Sequence, residues 1–311
     1  MSHIVFLSWW WPYPANNGSK LRIYHLLRQL SREHRVTLLS FAEPGEATPE
    51  QINHLQAFCA QVECVPKPEY QPNTMKATLG YLSRWPRSLV DVYSPAMAEK
   101  VQAARRAGQM DVIIASEIQT MRYLELVPGV PAILETPEAA SFHDRVNQAT
   151  GTPARFRAQM TLSKLENSLK ALMQHGVAMT VVSDMERDHM LQFAPPEAQA
   201  IVVPNGVDTA ASKFDPAVQP DSNTLIYTGA VTYSANLDAV TYFVRDVWPL
   251  VRARVPEARF TVTGGTGKVD VSTLAAAPAV TFTGYLPTVA PVVQRHTALV
   301  VPLREGSGTR L

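Results

Sequence analysis

Short, wholly apolar runs alternate with segments of helical period along this 311-residue chain, and that alternation limits its fold more than any other feature. Ile4-Val5-Phe6-Leu7-Ser8 reads as a strand buried on both faces. Leu21, Tyr24, Leu27 and Leu30 then recur at helical spacing, and residues 36–41 form a second apolar strand. Strand, helix and strand in that order call for a parallel sheet. Further strands are expected at 62–65, 112–115, 132–135, 179–182 and 201–204. Helices are expected over 49–60, 75–82, 96–107, 118–126 and 154–174, with capping boxes at Thr48–Gln51 and Ser183–Glu186. Residues 210–223 are polar, carry Pro216 and Pro220, and read as a linker. The pattern then restarts, with strands at 224–228, 260–263, 280–282 and 299–301 and a helix over 237–254 kinked at Trp248-Pro249. The expected fold is α/β: two Rossmann-like doubly wound domains, 1–209 and 224–311, facing a cleft. Ligands of such sheets bind outside the strand carboxyl ends.

Composition narrows the partners. A net charge of +1 favours neither nucleic acid nor an acidic membrane surface as a bulk partner. Two cysteines, Cys59 and Cys64, make neither a disulfide framework nor a metal set, and suit a reducing cytoplasm. The opening residues run straight into Ile4-Val5-Phe6-Leu7, so no signal peptide is expected, and no apolar run reaches the roughly 18 residues of a span. Peripheral contact with a membrane stays open.

Candidate site residues lie where strands end. Gly18, between the first strand and helix, either lets a backbone approach phosphate or is a plain βα turn. Trp9, Trp10, Trp11 and Tyr13 suit stacking on a sugar ring or covering an acyl chain, with one or two plugging the core instead. Glu135, Glu138 and His143 follow a strand and suit acid–base or orienting work, against the alternative of a cap and a solvated loop. Gly229, Gly264-Gly265 and Gly284-Tyr285 end three strands of the second sheet; together they clear a shelf for a nucleotide. Lys268 reads as solvated. Glu305-Gly306-Ser307-Gly308-Thr309-Arg310 follows the last strand as a small-residue loop at what should be a helix N-terminus, an anion site. The chain stops where that helix should begin. The second domain therefore reads as incomplete, with an apolar edge expected to be exposed around residues 299–303 and donor affinity expected to be weak.

The residues that carry a resemblance are Trp10-Trp11-Pro12 through Asn17-Gly18-Ser19-Lys20-Leu21-Arg22, Val181-Val182-Ser183 with Val203-Pro204-Asn205-Gly206-Val207-Asp208, Tyr227-Thr228-Gly229, Thr283-Gly284-Tyr285, and Val301-Pro302-Leu303 through Arg310. The chain resembles a retaining, GT-B-fold glycosyltransferase of family 4, C-terminally truncated. The resemblance implies a hexosyltransferase-type enzyme with a nucleotide-diphosphate sugar as substrate, no cofactor and no essential metal. It implies a glycan or lipid-linked acceptor bound by the first domain, and a place in cell-surface polysaccharide synthesis, in the cytoplasm or at the inner face of the membrane. On this reading Glu138 or His143 is catalytic, while Gly18, Gly229, Gly264, Gly284, Tyr285, Glu305, Gly306, Ser307, Gly308 and Thr309 bind the donor. Trp10, Trp11 and Tyr13 bind the acceptor. The sequence departs from the family where a His would stand, at Pro137, and residues 231–236 hold no cation. A nucleotide-sugar epimerase of the same shape and a non-catalytic sugar-nucleotide binding module are the alternatives. No G-x-G-x-x-G follows the first strand, as a dinucleotide dehydrogenase would need.

Overall fold

The computed structural model of the chain describes residues 1–209, 213 and 215–304. Two compact units meet between Gly206 and Val207. The first runs β1 (His3–Ser8), α1 (Gly18–Leu30), β2 (Arg35–Ala42), α2 (Pro49–Gln56), β3 (Gln61–Pro66), α3 (Met75–Leu79), α4 (Arg87–Asp91), α5 (Pro95–Arg106) and β4 (Val112–Ser116). A 3₁₀ helix (Ile118–Leu126) follows, then β5 (Ala132–Glu135), α6 (Ala140–Gln148), α7 (Thr152–Gln174), β6 (Ala178–Val181), α8 (Asp184–Leu191) and β7 (Ala200–Val202). The strands pair in parallel in the order β3-β2-β1-β4-β5-β6-β7. Both faces are covered. Val5, Leu7, Leu39 and Phe41 pack into one core, and Ile4, Phe6, Val36 and Leu38 into another. That is why the strand sequences are continuously apolar.

The second unit repeats the scheme with β8 (Asp221–Thr228), α9 (Ser234–Tyr242), a π-helical turn (Phe243–Val247), α10 (Trp248–Arg254), β9 (Arg259–Thr263), α11 (Ser272–Ala275), β10 (Val280–Gly284), α12 (Ala290–Gln294) and β11 (His296–Leu299). Its strands are also parallel, in the order β10-β9-β8-β11. Its own core gathers Phe243, Trp248, Phe260 and Val262. In each unit the first strand of the sheet has the second on one side and the fourth on the other. The loops leaving those two inner strands therefore diverge and open a crevice at their carboxyl ends.

Several expectations are corrected. The helix expected over 118–126 forms with those bounds, as a 3₁₀ helix. Helices α4 and α6 form where no helix was expected. β8 begins at Asp221, inside the stretch read as linker. The kink at Pro249 is taken up by the π-helical turn just before it, which accommodates a residue without an N–H. At Thr48 half the capping box is made: Thr48 Oγ1 accepts from Gln51 N at 3.4 Å, but Gln51 Oε1 accepts from Trp11 Nε1 at 2.9 Å instead of turning back to the cap. Among the described residues no helix is long and apolar enough to cross a membrane.

Candidate active site

In the first unit the strands β1 and β4 end in serine and β2 carries one near its end, and their register sets Ser8 beside both Ser40 and Ser116. The three hydroxyls are buried and tie down the loops at this end of the sheet. Ser8 Oγ and Ser40 Oγ donate to the Trp10 carbonyl at 2.6 and 3.0 Å, and Ser116 Oγ donates to Glu135 Oε2 at 2.8 Å. Glu135, 4% exposed, is met on its other oxygen by Arg22 Nε and Thr136 Oγ1, each at 2.5 Å. Arg22 Nη1 continues to Asn205 Oδ1 at 2.9 Å. One guanidinium on α1 thus joins the end of β5 to the loop after β7. Its Nη2 is buried and donates to no partner among the described residues.

A cavity of about 300 Å³ opens beside this network, at the carboxyl ends of β1, β4 and β5. Glu117, Thr136 and Glu138 line it, and all three hold left-handed backbone conformations, with φ of 69°, 47° and 45°. Such angles are costly for residues with a Cβ and persist only where the surroundings impose them. The ladder does so for two of them: Glu117 N donates to Glu135 O at 2.8 Å, and Thr136 N donates to Thr180 O at 2.9 Å. The Glu117 carboxyl opens into the cavity but has dense protein on its other sides. Burial, reinforced by the Glu138 charge and opposed by the Ser19 hydroxyl, pushes its pKa up to about 7. Gln119 Oε1, also at the cavity, is buried and accepts no hydrogen bond among the described residues. Trp9, Tyr70, Leu89 and Phe142 supply apolar wall, and Arg145 a cation. A buried carboxyl whose pKa is raised, an unmet amide oxygen and aromatic faces in one hollow suit a polyhydroxylated ligand.

In the second unit Gly229, Gly264 and Gly284 stand side by side at the ends of β8, β9 and β10. Gly229 N donates to Thr263 O and Gly264 N to Gly284 O, both at 3.0 Å. Gly264 has φ of 119°, and a Cβ there would lie 2.5 Å from Gly229 O. Around Gly284 a Cβ would meet nothing, so the shelf is open on that side. Arg304 reaches α9, where Nη2 meets Asp238 Oδ1 at 2.5 Å and the guanidinium lies 4.5 Å over Tyr242.

Comparisons with known proteins bear on both crevices. Residues 16–211 match the family described as Glycosyltransferase Family 4, and residues 222–311 match the one described as Glycosyl transferases group 1. The chain belongs to glycosyltransferase family 4. Its fold is similar to a sucrose-phosphate synthase from Thermosynechococcus elongatus, with a TM-score of 0.63 at 13% identity, covering 97% of this chain and 75% of that one. It is also similar to OtsA in its apo form, with a TM-score of 0.53 at 13% identity over 98% of this chain and 79% of that one. A lipopolysaccharide outer core galactosyltransferase matches with a TM-score of 0.50 at 11% identity over 95% and 72%. No curated protein matches the sequence. The two sheets are the α/β pair of GT-B glycosyltransferases.

Within this glycosyltransferase the expected site residues separate. Glu138 lines the cavity; His143 does not. His143 Nε2 lies 3.0 Å from Glu166 Oε1, and its ring meets His189 edge-on at 4.2 Å, inside the packing of α6, α7 and α8. Of the aromatics it is Trp9 that reaches the cavity. Trp11 is fully buried, with no face left for an acceptor. Tyr13 is stacked on His54 at 3.8 Å, and Trp10 is covered by Lys67 Nζ, 3.2 Å from its ring centroid. Gly18 opens α1 with free space where a Cβ would be, next to the Ser19 that approaches Glu117. Gly229, Gly264 and Gly284 come together, followed by Tyr285, which is 58% exposed. Lys268 is exposed. Glu305, Gly306, Ser307, Gly308 and Thr309 lie outside the described residues. The sequence reading missed Glu117, Arg22 and Arg304. An acidic residue directly after an apolar strand, the signal that picked out Glu135, was also present at Glu117.

Proposed function

We propose that this glycosyltransferase moves a sugar from a nucleotide-diphosphate sugar to a hydroxyl of a glycan or lipid-linked acceptor. Anomeric configuration is retained and no metal is needed. The enzyme works in the cytoplasm, in synthesis of a cell-surface polysaccharide or glycolipid. The observation that carries the reading is the row of Gly229, Gly264 and Gly284 at adjacent strand ends, where Gly229 and Gly264 pack closely with no side chain between them and Gly284 leaves open space beside them for a nucleotide. In this reading the second unit holds the donor, and backbone N–H groups with nearby cations stabilise the charge that develops on the leaving diphosphate. The acceptor enters the first unit's cavity. Trp9 backs its ring, and Glu117 receives a hydrogen bond from the reacting hydroxyl while Gln119 receives another. Glu138 helps to hold Glu117 near neutrality, so that it takes up hydrogen-bond or proton density at physiological pH.

The test is incubation with UDP-, GDP- and ADP-sugars, with and without oligosaccharide and polyprenyl-linked acceptors. The expected result is nucleotide release that needs an acceptor, with product of retained anomeric configuration. Sugar interconversion without acceptor would make the protein an epimerase, and binding without turnover would make it a sugar-nucleotide binding module.

A further inference from the structure

Glu117 and Glu138 follow the ends of neighbouring strands, since β4 and β5 pair with Ser116 beside Glu135. Both line the first unit's cavity. They stand near enough for the Glu138 charge to act on Glu117, where it adds to burial in holding the proton on. Gln119 joins them two residues after Glu117, with a buried Oε1 that accepts no hydrogen bond among the described residues. Acceptor atoms therefore gather where β4 and β5 end. The Thr136 hydroxyl in the same lining does not relieve them, because it donates to Glu135 Oε1 at 2.5 Å.

The cations of this region are occupied elsewhere. Arg22 meets Glu135 and Asn205. Lys67 Nζ donates to Glu43 Oε1 at 2.9 Å and lies over the Trp10 ring. Arg145, the cation in the lining, is exposed and holds its guanidinium 4.9 Å from the centre of the Phe142 ring. Trp9, Tyr70 and Phe142 complete the lining with aromatic rings, whose faces attract cations. Two carboxyl groups, an unmet amide oxygen and three rings complement a group that is cationic and carries only hydrogen-bond donors. An ammonium is that group, with three donors and no acceptor. A bare metal ion is not: among the described residues no three His, Cys, Asp or Glu side chains are placed to hold one. A neutral sugar ring meets Gln119 and the aromatic wall but leaves the two acidic groups unopposed.

We propose that the acceptor carries an amino sugar, whose ammonium is held by Glu138 and Gln119 while its neighbouring hydroxyl meets Glu117. The proposal rests on the reading of the first unit's cavity as the acceptor site. The ammonium has a second effect. A positive charge beside Glu117 offsets that of Glu138 and favours the ionised form of Glu117, the form that accepts a proton from the hydroxyl. An acceptor without the amine leaves Glu117 more fully protonated at neutral pH. The amine thus selects the acceptor twice, in binding and in the ionisation of the group that meets its hydroxyl.

The test is calorimetric binding of the full chain, without donor, to the methyl glycosides of glucosamine, N-acetylglucosamine and glucose at neutral pH. The glucoside lacks the nitrogen, and the acetamide keeps the nitrogen but loses the charge, so the comparison reads the ammonium itself. The glucosaminide is expected to bind about tenfold or more tightly than either of the others. Glu138→Gln and Gln119→Leu should each shrink that preference, with melting curves that show both variants folded. Equal affinity for the three glycosides, or a preference that both variants keep in full, overturns the proposal. Should a variant fail to fold, the comparison on the parent chain decides alone. An amine preference without transfer from any nucleotide sugar would leave this recognition standing and remove the proposed function. Acceptor-dependent transfer to neutral sugars with no amine preference would do the reverse, so the two proposals fail separately.

Discussion

At the residue scale, Glu117 sets a stability trade-off with a definite sign. Its folded pKa, about 7, lies above its ordinary value of 4.5. The unfolded chain therefore releases this proton first as pH rises. Across that window the native state binds more protons than the unfolded one, so stability falls with rising pH and levels off above 7. The full cost is at most about 3 kcal/mol. Glu117→Gln should match the parent in urea unfolding below pH 4.5 and exceed it near pH 8, while acceptor-dependent turnover falls. Equal stability of the two proteins at both pH values would remove the buried-acid reading. Arg22→Met acts the other way: it leaves Glu135 buried without its cation and should cost about 3–5 kcal/mol in the same measurement. Arg22→Lys should recover little, because one ammonium cannot reach both Glu135 and Asn205 in the geometry of a guanidinium fork. At this scale legibility follows local rules. Trp9 extends the alternation of Val5 and Leu7 on one face, so its place was readable by period two. Trp11 joins the opposite core just before the chain turns through Pro12, where no periodicity is left to place it.

At the element scale, the strands were legible because burial on both faces writes itself as an unbroken apolar run, and the parallel sense followed from the intervening helices. Strand order was not, since nothing local states on which side of β1 the fourth strand settles; that depends on which crossovers cover which face. Helix α6 was missed because its residues are largely polar, and its formation owes more to the packing of Phe142 and Val146 than to propensity. Arg304 was missed because its relation to α9 exists only once β11 lies beside β8. The three glycines, in contrast, were readable as a set, because each stands directly after an apolar strand. Their geometry gives a sharp expectation. Gly264→Ala puts a methyl 2.5 Å from Gly229 O at a φ of 119°, so both the loop after β8 and the ladder must move. The variant should lose about 2–3 kcal/mol and most nucleotide-sugar affinity, read by denaturant titration and by calorimetric binding. Retained affinity with a normal melt would deprive the shelf of its role.

At the scale of the whole molecule, the chain carries two sheets built on one scheme, each around its own core: Val5, Leu7, Leu39 and Phe41 in the first unit, Phe243, Trp248 and Phe260 in the second. A chain with two cores has no obligation to unfold in a single step. The two destabilising substitutions above fall in different units, which turns that statement into a measurement. Scanning calorimetry of Arg22→Met should lower a transition that Gly264→Ala leaves in place, and Gly264→Ala should lower a second, smaller one. The smaller enthalpy belongs to the second unit, because unfolding enthalpy scales with the number of residues that lose their packing and the first unit is the larger. A nucleotide diphosphate added in excess should raise the second transition alone, since a ligand stabilises the unit that binds it by mass action. If the nucleotide instead raised only the transition that Arg22→Met lowers, the donor would belong to the first unit's cavity, and the assignment of donor and acceptor to the two sheets would have to be exchanged.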